Sequence, residues 1–260
     1  MKLSQKFNEL RQKNEIALIA YTTGGFPSLK GSMKNIQILS RNGADIIEVG
    51  IPFSDPIADG PIIQEASQIA LENGVTLKKI ISEIKKISVQ CPLVIMSYIN
   101  PLLVYGKERL FEDLKASQVS GVIIPDLPIE VSEEWIRLSS ESEIDLIFFV
   151  TPTSTEERMK FVVEKSRGFI YCISITGTTG VRNQLPEELF DLIDRMKTIT
   201  DQPLAVGFGI STPEHVKALA GKVDGVIVGS RFIQAIKEKE NLSDLVRQFK
   251  KATQSERSQT

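Results

Sequence analysis

Eight short apolar runs, each followed by a stretch of helical periodicity, constrain the fold of this 260-residue chain more than any other feature. They are IALIAY from Ile16, DIIEVG from Asp45, LVIMSY from Leu93, GVIIPD from Gly121, DLIFFV from Asp145, GFIYCI from Gly168, PLAVGFG from Pro203 and DGVIVGS from Asp224. Most are apolar throughout and rich in β-branched residues, the pattern of parallel strands covered on both faces. Between them lie helical spacings: Leu77, Ile80, Ile81, Ile84 and Ile87; Leu110, Leu114 and Ala116; Leu189, Leu192, Ile193 and Met196. Strand–helix alternation predicts βαβ units, and eight of them in about 260 residues predict a single-domain (β/α)8 TIM barrel. The competing doubly wound sheet needs fewer strands and carries G-x-G-x-x-G after the first one; this chain has TTGGFPS there. An extra N-terminal helix is expected over 3–13 and a frayed polar tail over 252–260. No linker or fixed-period repeat divides the chain.

Charge excludes several partners. Lys plus Arg number 31 against 33 Asp plus Glu, a net charge of −2, so neither nucleic acid nor an anionic membrane is expected. No apolar run approaches the roughly 18 residues of a membrane span, and the charged N-terminal stretch does not resemble a signal peptide. The two cysteines, Cys91 and Cys172, make neither a disulfide framework nor a zinc cluster, with Cys172 read as a reduced core thiol. The expected compartment is the cytoplasm, or a plastid stroma for an organelle-encoded chain. The only histidine, His215, reads as a surface residue of a helix, which leaves no metal cluster and no histidine-containing nucleophile triad. No lysine ends a strand, which disfavours a Schiff base.

In a barrel, chemistry belongs at the C-terminal strand ends. Two features stand out there. The first is acidic, EVGIPFSDPIADGP over 48–61. Glu48 sits inside an apolar strand, where an unpaired carboxylate is costly and its pKa rises; alternation puts it on the face of Ile46 and Gly50. The plain alternative is a paired residue on the outer face. For Asp55 and Asp59 the plain alternative is turn and helix capping. The second feature is GFGIS over 207–211 with VGSRF over 228–232, about one helix and one strand apart. Glycines after strands seven and eight, with a helix N-terminus, commonly bind phosphate in barrels. The SITGTTG loop, 174–180, is a candidate third wall or lid.

These segments, with YINPLLVYG from Tyr98, IIPDLP from Ile123 and YCISITGTTG from Tyr171, resemble the tryptophan synthase alpha chain over essentially the whole sequence. The resemblance implies a lyase subunit that cleaves indole-3-glycerol phosphate by retro-aldol chemistry to indole and glyceraldehyde 3-phosphate, late in tryptophan biosynthesis. It also implies a beta-chain partner in an α2β2 heterotetramer. Pyridoxal phosphate would reside in that partner, with no cofactor or metal in this chain. By motif, Glu48 and Asp59 match the catalytic carboxylates, Tyr171 the active-site tyrosine, and Thr179 the loop threonine that meets the aspartate on closure. Gly180, Gly209, Gly229 and Ser230 match the phosphate site, with Phe208 beside it. Asp55, Asn100 and Pro101 match the partner-facing surface. Tyr21 stands where some members have Phe in the indole pocket, and Arg231, where small residues are common, would strengthen anion binding. A stand-alone lyase, a catalytically degenerate partner-activating subunit and a phosphosugar isomerase or synthase are the rival readings.

Overall fold

A computed structural model describes residues 1–173, 185–207 and 209–254. Its nine strand segments are β1 Ala17–Thr23, β2 Ile46–Gly50, β3 Leu93–Met96, β4 Val119–Ile123, β5 Asp145–Ile147, β6 Phe149–Val150, β7 Ile170–Ile173, β8 Leu204–Gly207 and β9 Gly225–Val228. All pair in parallel, in the order β5-β4-β3-β2-β1-β9-β8-β7-β6. The two ends of that row, β5 and β6, are consecutive pieces of one predicted strand, separated only by Phe148. The row therefore closes on itself as the expected eight-unit barrel. Phe148 bridges the break: its N–H donates to Ser166 Oγ (3.2 Å) and its carbonyl accepts from Tyr171 N–H (3.0 Å).

Alternation along the strands divides the apolar residues into two cores. Ala17, Ile19, Tyr21, Ile46, Val94, Met96, Ile123, Ile147, Phe169, Tyr171, Ala205 and Ile227 fill the barrel interior. Their neighbours, such as Leu18, Ala20, Ile47, Val49 and Ile95, face outward against the helices. The first helix, α1 Leu3–Gln12, plugs the end where the strands begin: Leu3, Phe7 and Leu10 belong to the interior cluster. Phe7 meets Phe169 at a centroid distance of 5.8 Å. Gly168, at φ +81°, leaves room for this plug, since a Cβ there would lie 2.8 Å from Leu3 Cδ1.

Around the barrel run α2 Leu29–Arg41, α3 Pro61–Glu72, α4 Leu77–Ile84, α5 Ile99–Tyr105, α6 Lys107–Ala116, α7 Glu133–Ser142, α8 Glu156–Lys165, α9 Glu187–Ile199, α10 Pro213–Leu219, α11 Ser230–Lys237 and α12 Leu242–Ala252. Hydroxyl caps start several of them; Ser28, Thr76, Thr155 and Thr212 each accept from an amide three residues on. The apolar stripes of α4 and α9 are buried as predicted. On α6 the expected Ala116 is exposed, and Phe111 joins Leu110 and Leu114 in the core instead. The reason is rotational: two residues past Leu114 is about 200° around the helix, whereas Phe111 lies beside Leu110 and Leu114. The tail expected to fray from 252 is packed at its start. Ala252 and Thr253 are buried, and Gln254 bridges antiparallel to Glu15; 255–260 lie outside the described residues. Lys250 fastens α12 to the barrel through Glu15 and Asp45, both at 2.9 Å.

Candidate active site

Inside an otherwise apolar barrel, β2 carries one carboxylate. Glu48 lies between Ile46 and Gly50 on the inward face, is 1% exposed, and has no hydrogen-bond partner on either oxygen. Burial, then the charge of Asp59, pushes its carboxyl up to about 8. The outer-face alternative is thereby excluded. Tyr21 pairs with it in register across β1. The Tyr21 ring lies over Gly50, where an added Cβ would fall 2.6 Å from Cζ. Across the barrel, Tyr171 on β7 lies over Gly207 in the same way, again at 2.6 Å, and packs on Phe149 at 4.9 Å. Each glycine clears space that lets a tyrosine reach inward. Burial raises both phenols, and the two acids raise them further, so both rings stay neutral.

The loop after β2 brings in the second acid. Asp59 precedes Gly60, the N-cap of α3, whose first residue is Pro61. Its carboxylate is held by a residue that sequence reasoning missed: Tyr98 Oη donates to Asp59 Oδ2 (3.1 Å) and accepts from Ala58 N–H (2.9 Å). Tyr98 is 3% exposed and stacks on Phe53 at 5.1 Å. On the backbone side, Gln64 Nε2 donates to the Asp59 carbonyl (2.9 Å). Burial lifts Asp59 to about 6, and the Tyr98 bond opposes that rise. The buried Glu48 and the half-buried Asp59 thus favour different ionisation states at neutral pH, the first protonated and the second charged, which is an arrangement suited to separate acid and electrostatic roles.

At the other side of the mouth, Gly209 follows β8 at φ +78° with open space where a Cβ would stand. Gly229 precedes α11 without a side-chain cap, and Ser230 is the first residue of that helix. The Gly229 Cβ direction faces Ile63 Cδ1 (3.5 Å) and the Tyr21 ring (3.6 Å), so the glycine turn adjoins the tyrosine that faces Glu48. Two expectations are corrected here. His215 is buried, 5% exposed, because its Nδ1 lies 3.2 Å from the Gly209 carbonyl and 3.4 Å from the Ser211 amide. Arg231 is engaged by Glu240 through its two terminal guanidinium nitrogens, at 2.9 and 2.6 Å, rather than standing free for an anion. Asp55 and Asn100 are exposed and Pro101 is half-buried. Thr179, Gly180 and Phe208 lie outside the described residues, as does the 174–180 loop. Among the described residues no group of three or more His, Cys, Asp or Glu is placed to hold a metal ion, and no helix is long and apolar enough to cross a membrane.

A closed parallel barrel with two acids gathered at the C-terminal end of its strands places the chain in the class of barrel enzymes. Comparison narrows it. The family model for the tryptophan synthase alpha chain matches residues 7–260. The tryptophan synthase alpha chain of Petrotoga mobilis is 46% identical over 246 residues, covering 94% of this chain and 95% of its own. A solved Mycobacterium tuberculosis tryptophan synthase chain superposes with a TM-score of 0.92 at 37% identity, covering 97% of this chain and 98% of that one. A chain of the Pyrococcus furiosus tryptophan synthase complex superposes at 0.82 with 33% identity, covering 92% and 98%. The chain belongs to the tryptophan synthase alpha chain family. It is the lyase subunit of tryptophan biosynthesis that cleaves indole-3-glycerol phosphate to indole and glyceraldehyde 3-phosphate. Similarity to solved tryptophan synthase complexes is consistent with a beta-chain partner.

Proposed function

We propose that Glu48 and Asp59 carry this cleavage between them. Direct retro-aldol scission would expel a carbanion at indole C3, which is too unstable to leave. Protonating C3 first makes an indolenine, whose positive ring nitrogen takes up the electron pair of the breaking bond. Glu48, protonated at neutral pH and without a competing hydrogen bond, delivers that proton. As the C3–C1′ bond breaks, the resulting carboxylate takes the proton of the C1′ hydroxyl, giving the aldehyde and restoring the acid. Asp59, charged under the same conditions, accepts the ring N–H and stabilises the cation. Protons balance and no electrons are exchanged, so the step requires no metal or cofactor of this chain.

Tyr21 and Tyr171 flank Glu48 as apolar walls for the indole, while Gly209, Gly229 and Ser230 receive the phosphate on backbone amides at the start of α11. The family resemblance assigns Gly180 and Phe208 to the phosphate end and Thr179 to the aspartate, three residues outside those the structure describes. The partner is a beta chain, which carries pyridoxal phosphate, in an α2β2 assembly. Support comes from the exposed apolar side chains Ile57 (84%), Leu103 (47%) and Val104 (90%), which accompany Asp55, Asn100 and Pro101 after the adjacent strands β2 and β3. The two free buried thiols, Cys91 and Cys172, suit the reducing cytoplasm.

The observation that carries this reading is the partnerless Glu48 carboxyl facing into the barrel. The test is to incubate the purified chain with indole-3-glycerol phosphate and quantify both products. Equimolar indole and glyceraldehyde 3-phosphate, accelerated by a beta chain, is the expected result. Glu48→Gln retaining full cleavage would overturn the assignment.

A further inference from the structure

Asp59 has to be oriented by something other than its own backbone, because it stands in a loop rich in proline and glycine, FSDPIADGP over 53–61. The residue that orients it comes from a different strand end. Tyr98 follows β3 and begins α5, and its main chain is fixed because Ile99 N–H donates to Asp126 Oδ1 (2.8 Å). The ring is buried against Phe53 at an interplanar angle of 28°. Its one hydroxyl makes two bonds in opposite senses. It accepts from the amide of Ala58 (2.9 Å), which fixes the loop backbone, and donates to Oδ2 of Asp59 (3.1 Å), which fixes the carboxylate. The first bond places the hydroxyl proton for the second, so loop and carboxylate are set together. One oxygen of Asp59 is thereby held and Oδ1 is left for the ring N–H of the substrate.

We propose that Tyr98 is a positioning residue for the cleavage, its hydroxyl anchoring the Asp59 carboxylate to the end of β3 in the orientation that receives the indole ring nitrogen. The inference rests on the reading of Asp59 as the carboxylate that stabilises the indolenine. A donor to the charged form also favours ionisation. The Tyr98 bond lowers the Asp59 carboxyl against the burial that raises it. The other ionisable groups facing Asp59 are Glu48 from β2, Tyr21 from β1 and Tyr171 from β7, and Asp126, after β4, faces Tyr98. None of these donates a hydrogen bond to Asp59, so Tyr98 alone of the described side chains supports its charge in this way.

Tyr98→Phe tests the proposal, since it keeps the ring and its stack and removes only the hydroxyl. The expected outcome in the isolated chain is a kcat lower by ~10–100-fold with KM for indole-3-glycerol phosphate little changed, the scale of a misaligned catalytic group. The acid limb of kcat/KM should move to higher pH, because Asp59 then ionises less readily. A purely structural role would lower the melting temperature and the active fraction but leave that limb in place. Circular dichroism and thermal melting confirm folding, and Asp59→Asn is assayed alongside. An inactive Asp59→Asn with Tyr98→Phe unchanged in kcat and in its acid limb overturns the proposal while leaving the Asp59 reading intact. An active Asp59→Asn overturns both.

Discussion

Glu48 stands in a place where a carboxyl harms the fold, and that cost is itself measurable. Its folded-state pKa of about 8 lies above the ordinary value of 4.5. Between those pH values the folded chain holds a proton that the unfolded chain releases, so stability falls as pH rises through the window. Glu48→Gln removes the linkage. Its melting temperature should exceed that of the parent chain, by a margin that widens from pH 5 to pH 8. Scanning calorimetry at both pH values checks this, and a Gln variant less stable than the parent at pH 8 would count against a buried, raised carboxyl. The same substitution should lower cleavage by at least ~10²–10⁴-fold, because an amide cannot transfer protons. Asp59→Asn should be comparably severe, because a neutral amide cannot balance the ring cation. The sequence singled out both acids, Glu48 because a carboxylate within an apolar strand is costly, and Asp59 because it joins Glu48 and Asp55 around one strand end in an otherwise uncharged segment. Tyr98 was not legible as a site residue, because it reads as the last apolar member of LVIMSY and its value lies in two long-range hydrogen bonds. His215 was misread for a similar reason: its partners are backbone atoms of the turn after β8, invisible to side-chain periodicity.

Strands, helices and turns divide the work between holding the barrel and shaping the ligand ends. All eight runs were recognisable because two-sided burial writes an unbroken apolar signature. The break at Phe148 was not, because Phe148 is itself apolar and buried, so the run DLIFFV continues across it. Helix α1 was recognisable as a helix, whereas its task as the barrel plug depends on Gly168 leaving room, a packing fact without periodicity. Phe7→Ala should destabilise the chain by about 3–5 kcal/mol, the usual cost of emptying a buried aromatic site. Urea unfolding reads this directly, and a loss below about 1 kcal/mol would mean that α1 does not seal the barrel. At the opposite end, Gly209→Val or Gly229→Val should weaken glycerol 3-phosphate far more than an indole analogue, as measured by calorimetric titration. The first forces a β-branched residue to φ +78° beside the anion, and the second adds methyls beyond a Cβ already 3.5 Å from Ile63. Equal loss of both ligands would point to misfolding instead.

Taken whole, the molecule plugs one end of the barrel with α1 and gathers the two candidate acids and the exposed apolar residues Ile57, Leu103 and Val104 at the other. Ile57 and Val104 follow neighbouring strands on that face, and Tyr98 starts the helix that carries Val104. Val104 is 90% exposed and is not one of the candidate site residues, so Val104→Asp should leave isolated cleavage unchanged. It should weaken beta-chain association, seen by sedimentation, and with it the partner's acceleration; an acceleration of ~10-fold needs only about 1.4 kcal/mol of preference for the active state. An unaltered complex would mean that the partner docks elsewhere. The central claim, that one proton-bearing and one charged carboxylate share the cleavage, is tested most directly by kcat/KM for indole-3-glycerol phosphate cleavage across pH 5 to 9. Activity should rise as Asp59 ionises near pH 6 and fall as Glu48 loses its proton near pH 8, giving a bell between those limbs. A profile that is flat across the range, or that climbs steadily above pH 8, would contradict the account.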